Sequence, residues 1–272
     1  MPLKPFCRRS QLMNVKNFLL KLKRHQFLFE ELVKRDFKQK YKRTILGMGW
    51  SILAPLLTLF VMNLIFRRFF GRTVNHYTIY LFCGNLLFSY FKEATTGSMN
   101  SIVSNAKIFA KINVPKYLFL LSKCVSAVIN FGFTLIVFFV FATIDRVPFR
   151  LSMLGIVYPI MTLTMFNIGM GLVLSAMFVF FRDTQYLYDV FTMLLMYMSA
   201  IFYSVDGYPP MVQKIFLLNP VYCNIKYVRA AVIDGYLPSL GFHALLLFYG
   251  VMALLVGGLI YKKYNTQFLY YV

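Results

Sequence analysis

Five stretches without Asp, Glu, Lys or Arg dominate this chain, at 45–66, 73–91, 124–144, 151–181 and 235–261, and a shorter sixth lies at 190–205. Crossing about 30 Å of hydrocarbon takes roughly 20 apolar residues in a helix that rises ~1.5 Å per residue. Five runs meet that length or nearly so, and the sixth meets it if its helix starts a turn earlier, near Leu187. The runs are apolar on all sides and lack a period of two, which favours helices over a barrel. A soluble core has no use for six such runs. Only 14% of the residues are charged, against about a quarter in a soluble domain. The expected fold class is therefore all-α integral membrane. It comprises six transmembrane helices, an N-terminal amphipathic interface helix and re-entrant outer gate helices.

Spans are expected near 45–66, 78–103, 118–142, 152–180, 187–205 and 239–261. One side then holds residues 1–44, the 104–117 loop, the link around Arg182 and the tail after Tyr261, with nineteen Lys and Arg. The other side holds eight, while Lys92 and Lys123 fall within spans. The positive-inside rule puts both termini in the cytoplasm of a multi-pass protein. The chain divides into a cytoplasmic N-terminal segment (1–44), a membrane domain (45–261) and a cytoplasmic tail (262–272). Residues 1–44 carry charge throughout and have no apolar core of the kind a signal peptide needs.

A net charge of +20 raises the question of nucleic acid. Thirteen of the 29 Lys and Arg precede Ile45, with no stacking or groove-reading pattern. Such a strip beside a membrane helix suits anionic lipid headgroups, so the expected contact is membrane lipid and not nucleic acid. Within it, Phe27, Leu28, Glu31, Leu32, Arg35 and Lys38 fall at helical spacing. Leu28, Leu32 and Val33 are expected to enter the lipid boundary while Lys34, Lys38 and Lys42 snorkel. A second unusual stretch, 204–237, holds Gly207, Pro209, Pro210, Asn219, Pro220 and Gly235 between apolar pieces too short to cross. It reads as broken, re-entrant helices on the outer side, a candidate gate.

Chemistry-bearing motifs are scarce. There is no GxxxxGK[ST] phosphate loop, so nucleotide hydrolysis is not expected of this chain. The four cysteines are scattered, His25, His76 and His243 lie far apart, and no carboxylates pair. No metal site and no catalytic residue is expected. Lys92 and Glu93 form the one charged pair inside a span, where ionisable residues face the bundle interior or water. Either a hydrated cavity or snorkelling of the lysine accounts for them. Tyr80, Gly84, Phe88 and Phe91 follow one helix face, and Tyr186, Met193 and Tyr197 another. An aromatic-lined path suits a glycan, although an aromatic stripe also packs.

Four stretches together resemble one family. Residues 31–55 (ELVKRDFKQKYKRTILGMGWSILAP), 105–116 (NAKIFAKINVPK), 181–183 (FRD) and 218–220 (LNP) with Arg229 stand in the order and spacing of type-2 ABC transporter permeases. Within these the chain is most similar to exporters of lipid-linked polysaccharide, O-antigen and teichoic acid. The likeness runs from residue 30 to 260 and omits residues 1–13.

The resemblance implies a permease subunit in the cytoplasmic membrane of a bacterium, exporting a lipid-linked polysaccharide. Its implied partners are a second copy of itself and two copies of a separate ATP-binding subunit, which binds ATP and Mg. It implies ATPase coupling through the 105–117 loop and the FRD turn, by Asn105, Lys107, Phe109, Lys111, Pro115, Lys116, Arg182 and Asp183. Replacing Phe109, Lys111 or Pro115 is then expected to uncouple the ATPase without unfolding the chain. The implied channel lining is Trp50, Tyr80, Phe88, Phe91, Lys92, Glu93, Met193 and Tyr197. The outer gate is Tyr203, Pro209, Pro210, Asn219 and Pro220. Two alternatives stay open: a type-2 permease for a drug, lipid or other small molecule, and a membrane-embedded enzyme or assembly factor.

Overall fold

The computed structural model describes residues 25–42, 44–70, 75–109, 111 and 114–271. The basic residues and Cys7 of segment 1–24, and the Gly71–Arg72 pair, lie outside the described residues. Among the described residues every regular element is helical. The longer helices are α1 (Gln26–Tyr41), α2 (Trp50–Phe70), α3 (Tyr77–Ser104), α5 (Tyr117–Ile144), α6 (Val157–Phe180), α7 (Thr184–Met198), α9 (Pro220–Arg229) and α10 (Leu240–Tyr264). Short helices α4 (Ala106–Phe109), α8 (Pro210–Phe216) and α11 (Phe268–Tyr271) lie between or after them. Four helical stretches are long and apolar enough to cross a bilayer: Gly47–Phe70, Tyr117–Ile144, Leu151–Phe180 and Leu240–Tyr264.

Helix α3 is the spine. Its 28 residues extend about 42 Å, and nearly all of Tyr77–Phe91 is buried against α5, α6, α9 and α2. Its inner half turns polar, with Thr95, Ser98 and Ser101 buried. The hydroxyls of Thr95, Ser101 and Ser104 bond back to carbonyls three or four residues earlier, and Ser98 Oγ meets Cys124 Sγ at 3.2 Å. Helices α6 and α10 make the closest pairing. A Cβ on Gly169 would overlap the Ala253 backbone, and one on Gly257 would overlap the Gly169 carbonyl. In lipid, where apolar burial does not drive helices together, such backbone approach supplies the packing.

Two helices are attached lightly. Helix α2 buries only Ser51 and Leu59. Helix α7 buries Thr184, Tyr188 and Thr192, one face at i, i+4, i+8, and leaves Tyr186, Met193 and Tyr197 exposed opposite. The fifth expected span differs from its sequence reading. At 15 residues α7 covers only ~22 Å, because the helix stops at Ser199 and Ala200 takes a left-handed φ of 48°. Of the interfacial reading of 14–43, residues 14–24 and 43 lie outside the described residues, and the place of Leu32 needs correction. Leu32 is 4% exposed and packs against protein, with Ile102, Phe109, Phe119 and Phe268. Of the residues expected in the lipid boundary, Leu32 is taken up by the bundle, while Leu28 and Val33 are half-buried and Phe27 is exposed.

Candidate functional site

The non-helical backbone after α7 governs one end of the molecule. Each carbonyl that leaves the helix ladder needs a donor, since buried backbone acceptors are rarely left unpaired. Side chains from three other elements supply them. Asn219 Nδ2 donates to the Met198 carbonyl at 3.2 Å, Tyr77 Oη to that of Phe202 at 2.8 Å, and Tyr80 Oη to that of Tyr203 at 2.7 Å. Arg229 does the most. Its Nη1 reaches the Ala200 carbonyl at 2.9 Å and its Nη2 the Ile201 carbonyl at 3.0 Å. Its Nε and Nη2 also reach the Tyr80 carbonyl, and the guanidinium lies 3.4 Å from the Tyr80 ring centroid. Gly84 makes the room, for a Cβ there would stand 2.9 Å from Nη2 of Arg229.

Asn219 serves a second time. Its Oδ1 caps α9, accepting from the backbone of Val221 and Tyr222, while Pro220 occupies the first helical position, where a missing N–H costs nothing. Pro209 and Pro210 open α8 the same way. Tyr203 donates its hydroxyl to the Tyr197 carbonyl. Tyr203 and Asn219 therefore join one bonded assembly with Tyr77, Tyr80 and Arg229, and Arg229, buried at its centre, is not among the expected gate residues. The readable signal is its place in the family resemblance, nine residues after Pro220.

At the opposite end the coupling residues divide by burial. Asn105 is buried and stops α3, its Nδ2 bonding the Ser101 carbonyl at 2.7 Å. Phe109 is 8% exposed, within the cluster that holds Leu32, Val114 and Phe268. Lys116 donates to the Asn265 carbonyl at 2.8 Å and stands 5.5 and 5.6 Å from the ring centroids of Phe109 and Phe268. Burial lowers its pKa. These three, with half-buried Pro115, hold the end together. Lys107, Lys111, Arg182 and Asp183 are exposed, and Arg182 rests 5.2 Å from the Phe178 ring centroid. The expectation that Phe109 could be replaced without structural loss is corrected by its burial. Asp36 anchors α1 here, its side chain 1% exposed, pairing with Lys123 at 3.0 Å and Arg35 at 2.8 Å and accepting from Ser122.

Between these ends lies a cavity of about 460 Å³ walled by α2, α3 and α5, in which Asn85, Ser89, Glu93 and Asn130 stand among apolar side chains. Glu93 lines it, bonded at 2.8 Å to Lys40 and at 2.8 Å to Asn130, and Trp50 lies on its wall. Lys92 is exposed on another face of α3. Phe88 and Phe91 are 5% and 1% exposed in the main core, Phe91 stacking on Phe166, and neither lines this cavity. Their spacing marks a packed face. Tyr80, also buried, reaches the edge of a second cavity of about 1190 Å³ along with Tyr203, Asp206 and Arg229. Met193 and Tyr197 remain on open surface. The described residues hold no cluster of His, Cys, Asp and Glu fit for a metal.

Bilayer-length helices and side-chain donors on every irregular carbonyl from Ala200 to Tyr203 define a polytopic helical membrane protein. The particular family comes from comparison: residues 28–233 match the ABC-2 type transporter family, and the chain belongs to it. It is 28% identical over 246 residues to the O-antigen export system permease protein RfbA of Klebsiella pneumoniae, covering 89% of this chain and 95% of that one. The RfbA permease of Myxococcus xanthus is 24% identical over 68% of this chain and 71% of its own. The capsule polysaccharide export inner-membrane protein CtrC of Neisseria meningitidis serogroup B is 24% identical over 73% of this chain and 76% of its own.

Proposed function

We propose that this chain is the permease subunit of an exporter that carries a lipid-linked polysaccharide across the cytoplasmic membrane. The carrying observation is likeness to O-antigen export permeases along nearly the whole chain. In this reading two copies pair, and two copies of a separate ATP-binding subunit bind ATP and Mg and drive them. The chain crosses six times, the four apolar spans being joined by α3 and by α7 continued through the irregular segment 199–205, with segments 1–44 and 262–272 in the cytoplasm. Residues 204–237 form re-entrant gate helices on the outer side. Lys107, Lys111, Arg182 and Asp183, exposed at one end, meet the ATPase. Trp50, Met193 and Tyr197 face the polymer, with Glu93 and Lys92 at its cytoplasmic entry.

The test is deletion and complementation of the gene in its own host. Surface polysaccharide should disappear while lipid-linked polymer accumulates inside, and both should return with the gene. Unchanged surface polysaccharide overturns the reading. Altered drug or lipid resistance with intact polysaccharide would favour a small-molecule permease instead.

A further inference from the structure

The loop between α3 and α5 meets the residues that follow α10 at one end of the bundle. Among the described residues of that loop, Lys107 and Lys111 are exposed, while Phe109 and Val114 are buried. The exposed lysines are therefore held in place by what packs on those two side chains. Ile102, Phe119 and Val179 of α3, α5 and α6 share their cluster. Phe268 of α11 joins it from beyond the last long helix. It is 0% exposed, its ring centroid 5.2 Å from that of Tyr261 and 6.0 Å from that of Phe180.

Lys116 ties the two segments together. It stands just before α5, and its ammonium donates to the Asn265 carbonyl at 2.8 Å. Asn265 follows the last residue of α10, where carbonyls lack helical N–H partners and a lysine is a favoured donor. The same ammonium stands 5.5 and 5.6 Å from the ring centroids of Phe109 and Phe268, close enough for both rings to attract it. The chain then turns, the Gln267 N–H donating to the Tyr264 carbonyl at 2.9 Å, and Phe268 enters the cluster. Tyr271 adds an edge contact on Phe180, with centroids 4.9 Å apart. Segment 265–271 is thus fastened by a buried ring and by a lysine whose charge is engaged within this chain.

We propose that segment 265–271 braces the coupling loop, and that Lys116 is a positioning residue acting through this brace and not a contact for the ATP-binding subunit. The inference rests on the reading of 105–117 as the coupling loop. A loop that drifts among several positions offers the docking position only part of the time, and its apparent affinity for a partner falls by that fraction. Loss of the brace therefore raises the concentration of partner needed and leaves the response at saturation unchanged. General unfolding does the reverse, removing working copies and lowering the maximum.

The full chain in lipid nanodiscs is titrated with the separate ATP-binding subunit while ATP hydrolysis is followed. Phe268→Ala should raise the half-stimulating concentration roughly tenfold with the maximum kept, and Phe268→Leu should recover most of that loss. Lys116→Met, which keeps the apolar stem, should raise it severalfold. The double variant Lys116→Met/Phe268→Ala should be no worse than Phe268→Ala alone, because residues that act through one contact do not add. Hydrogen exchange at the Ile108, Phe109 and Lys111 amides, all bonded within the loop, should quicken in both single variants and stay unchanged over residues 80–91 of α3. Additive effects would make Lys116 a direct contact and overturn its assignment. Unaltered loop exchange, or a lowered maximum at an unchanged half-point, overturns the brace. If Lys107→Glu/Lys111→Glu leaves stimulation intact, the coupling reading falls and this inference with it. If that variant acts and Phe268→Ala does not, the brace alone falls.

Discussion

Replacing Arg229 by Met removes the donors of the Ala200 and Ile201 carbonyls and keeps a side chain of similar length. In the native protein, opening the segment after α7 breaks two hydrogen bonds from a charged donor, at 2.9 and 3.0 Å. Such bonds contribute about 1.5–3 kcal/mol each. In Arg229→Met the closed state holds two orphaned carbonyls, and opening lets water reach them. The opening equilibrium should therefore shift by at least about 3 kcal/mol, or roughly 150-fold. Cys83 is fully buried beside Gly84 and belongs to the same core cluster as Ile201, so its reaction with a maleimide reports opening. The assay uses a background in which Cys7, Cys124 and Cys223 are replaced by alanine, under conditions where closing outpaces labelling. Arg229→Lys keeps the charge but loses the planar fork that serves several carbonyls at once, and should fall between. Gly84→Ala should act in the same direction, because its methyl would stand 3.3 Å from Ile201 Cα as well as against the guanidinium. If Arg229→Met labels Cys83 no faster than the parent, the carbonyls are satisfied by something else and the clamp argument fails.

Gly257→Ala sets a methyl against the Gly169 carbonyl, and backbone cannot yield as a side chain can. The α6–α10 pair should separate at a cost of about 1–3 kcal/mol, seen as a lowered thermal midpoint in detergent, whereas Gly258→Ala, with open space around it, should be neutral. Exposed Lys107 and Lys111 should tolerate change to Glu with no shift in that midpoint, while stimulation of the co-purified ATPase by the permease falls severalfold. Phe109→Ala should instead lower the midpoint, with a loss of about 3–5 kcal/mol for an emptied core ring.

Much of the fold was readable from hydropathy because the bilayer imposes its length on any helix that crosses it. The starts of α3, α5 and α10 fall within a residue or so of the expected positions. Helix α7 did not, since window hydropathy is blind to the partners that wait beyond a helix end. The chain leaves the α conformation at Ala200 because Arg229 and Asn219, some 20–30 residues later, offer its carbonyls better donors than a ladder would. The aromatic stripe of α3 failed for a different reason. Spacing of three and four states which residues share a face, not what that face meets, and here Phe91 meets Phe166 of α6 and Phe88 lies in the main core. Leu32 shows the same gap: amphipathic spacing places it correctly, but protein and lipid are equally apolar partners. Asp36 was the unused clue, an acid among basic neighbours whose burial pins α1 to α5.

The uneven attachment of the helices has a mechanical consequence. One cluster joins α1, the 105–117 loop, α5, α6, α10 and α11 through Leu32, Phe109, Phe119, Val179, Tyr261 and Phe268, and the close α6–α10 pair extends that block through the bilayer. Helices α2 and α7 stand outside it, one resting on Ser51 and Leu59, the other on Thr184, Tyr188 and Thr192. A push on Lys107 or Lys111 would be transmitted by the buried Phe109 to the whole block and not to a single helix. What yields is the weaker seam. Behind α2 that seam is the cavity that holds Asn85, Ser89, Glu93 and Asn130, polar groups that water can reach as it widens. Beyond α7 it ends at the Arg229 clamp, whose bonds must break or shift together. The two seams thus differ in stiffness, soft behind α2 and stiff at the clamp, and the clamp sets the order in which the ends of the bundle open.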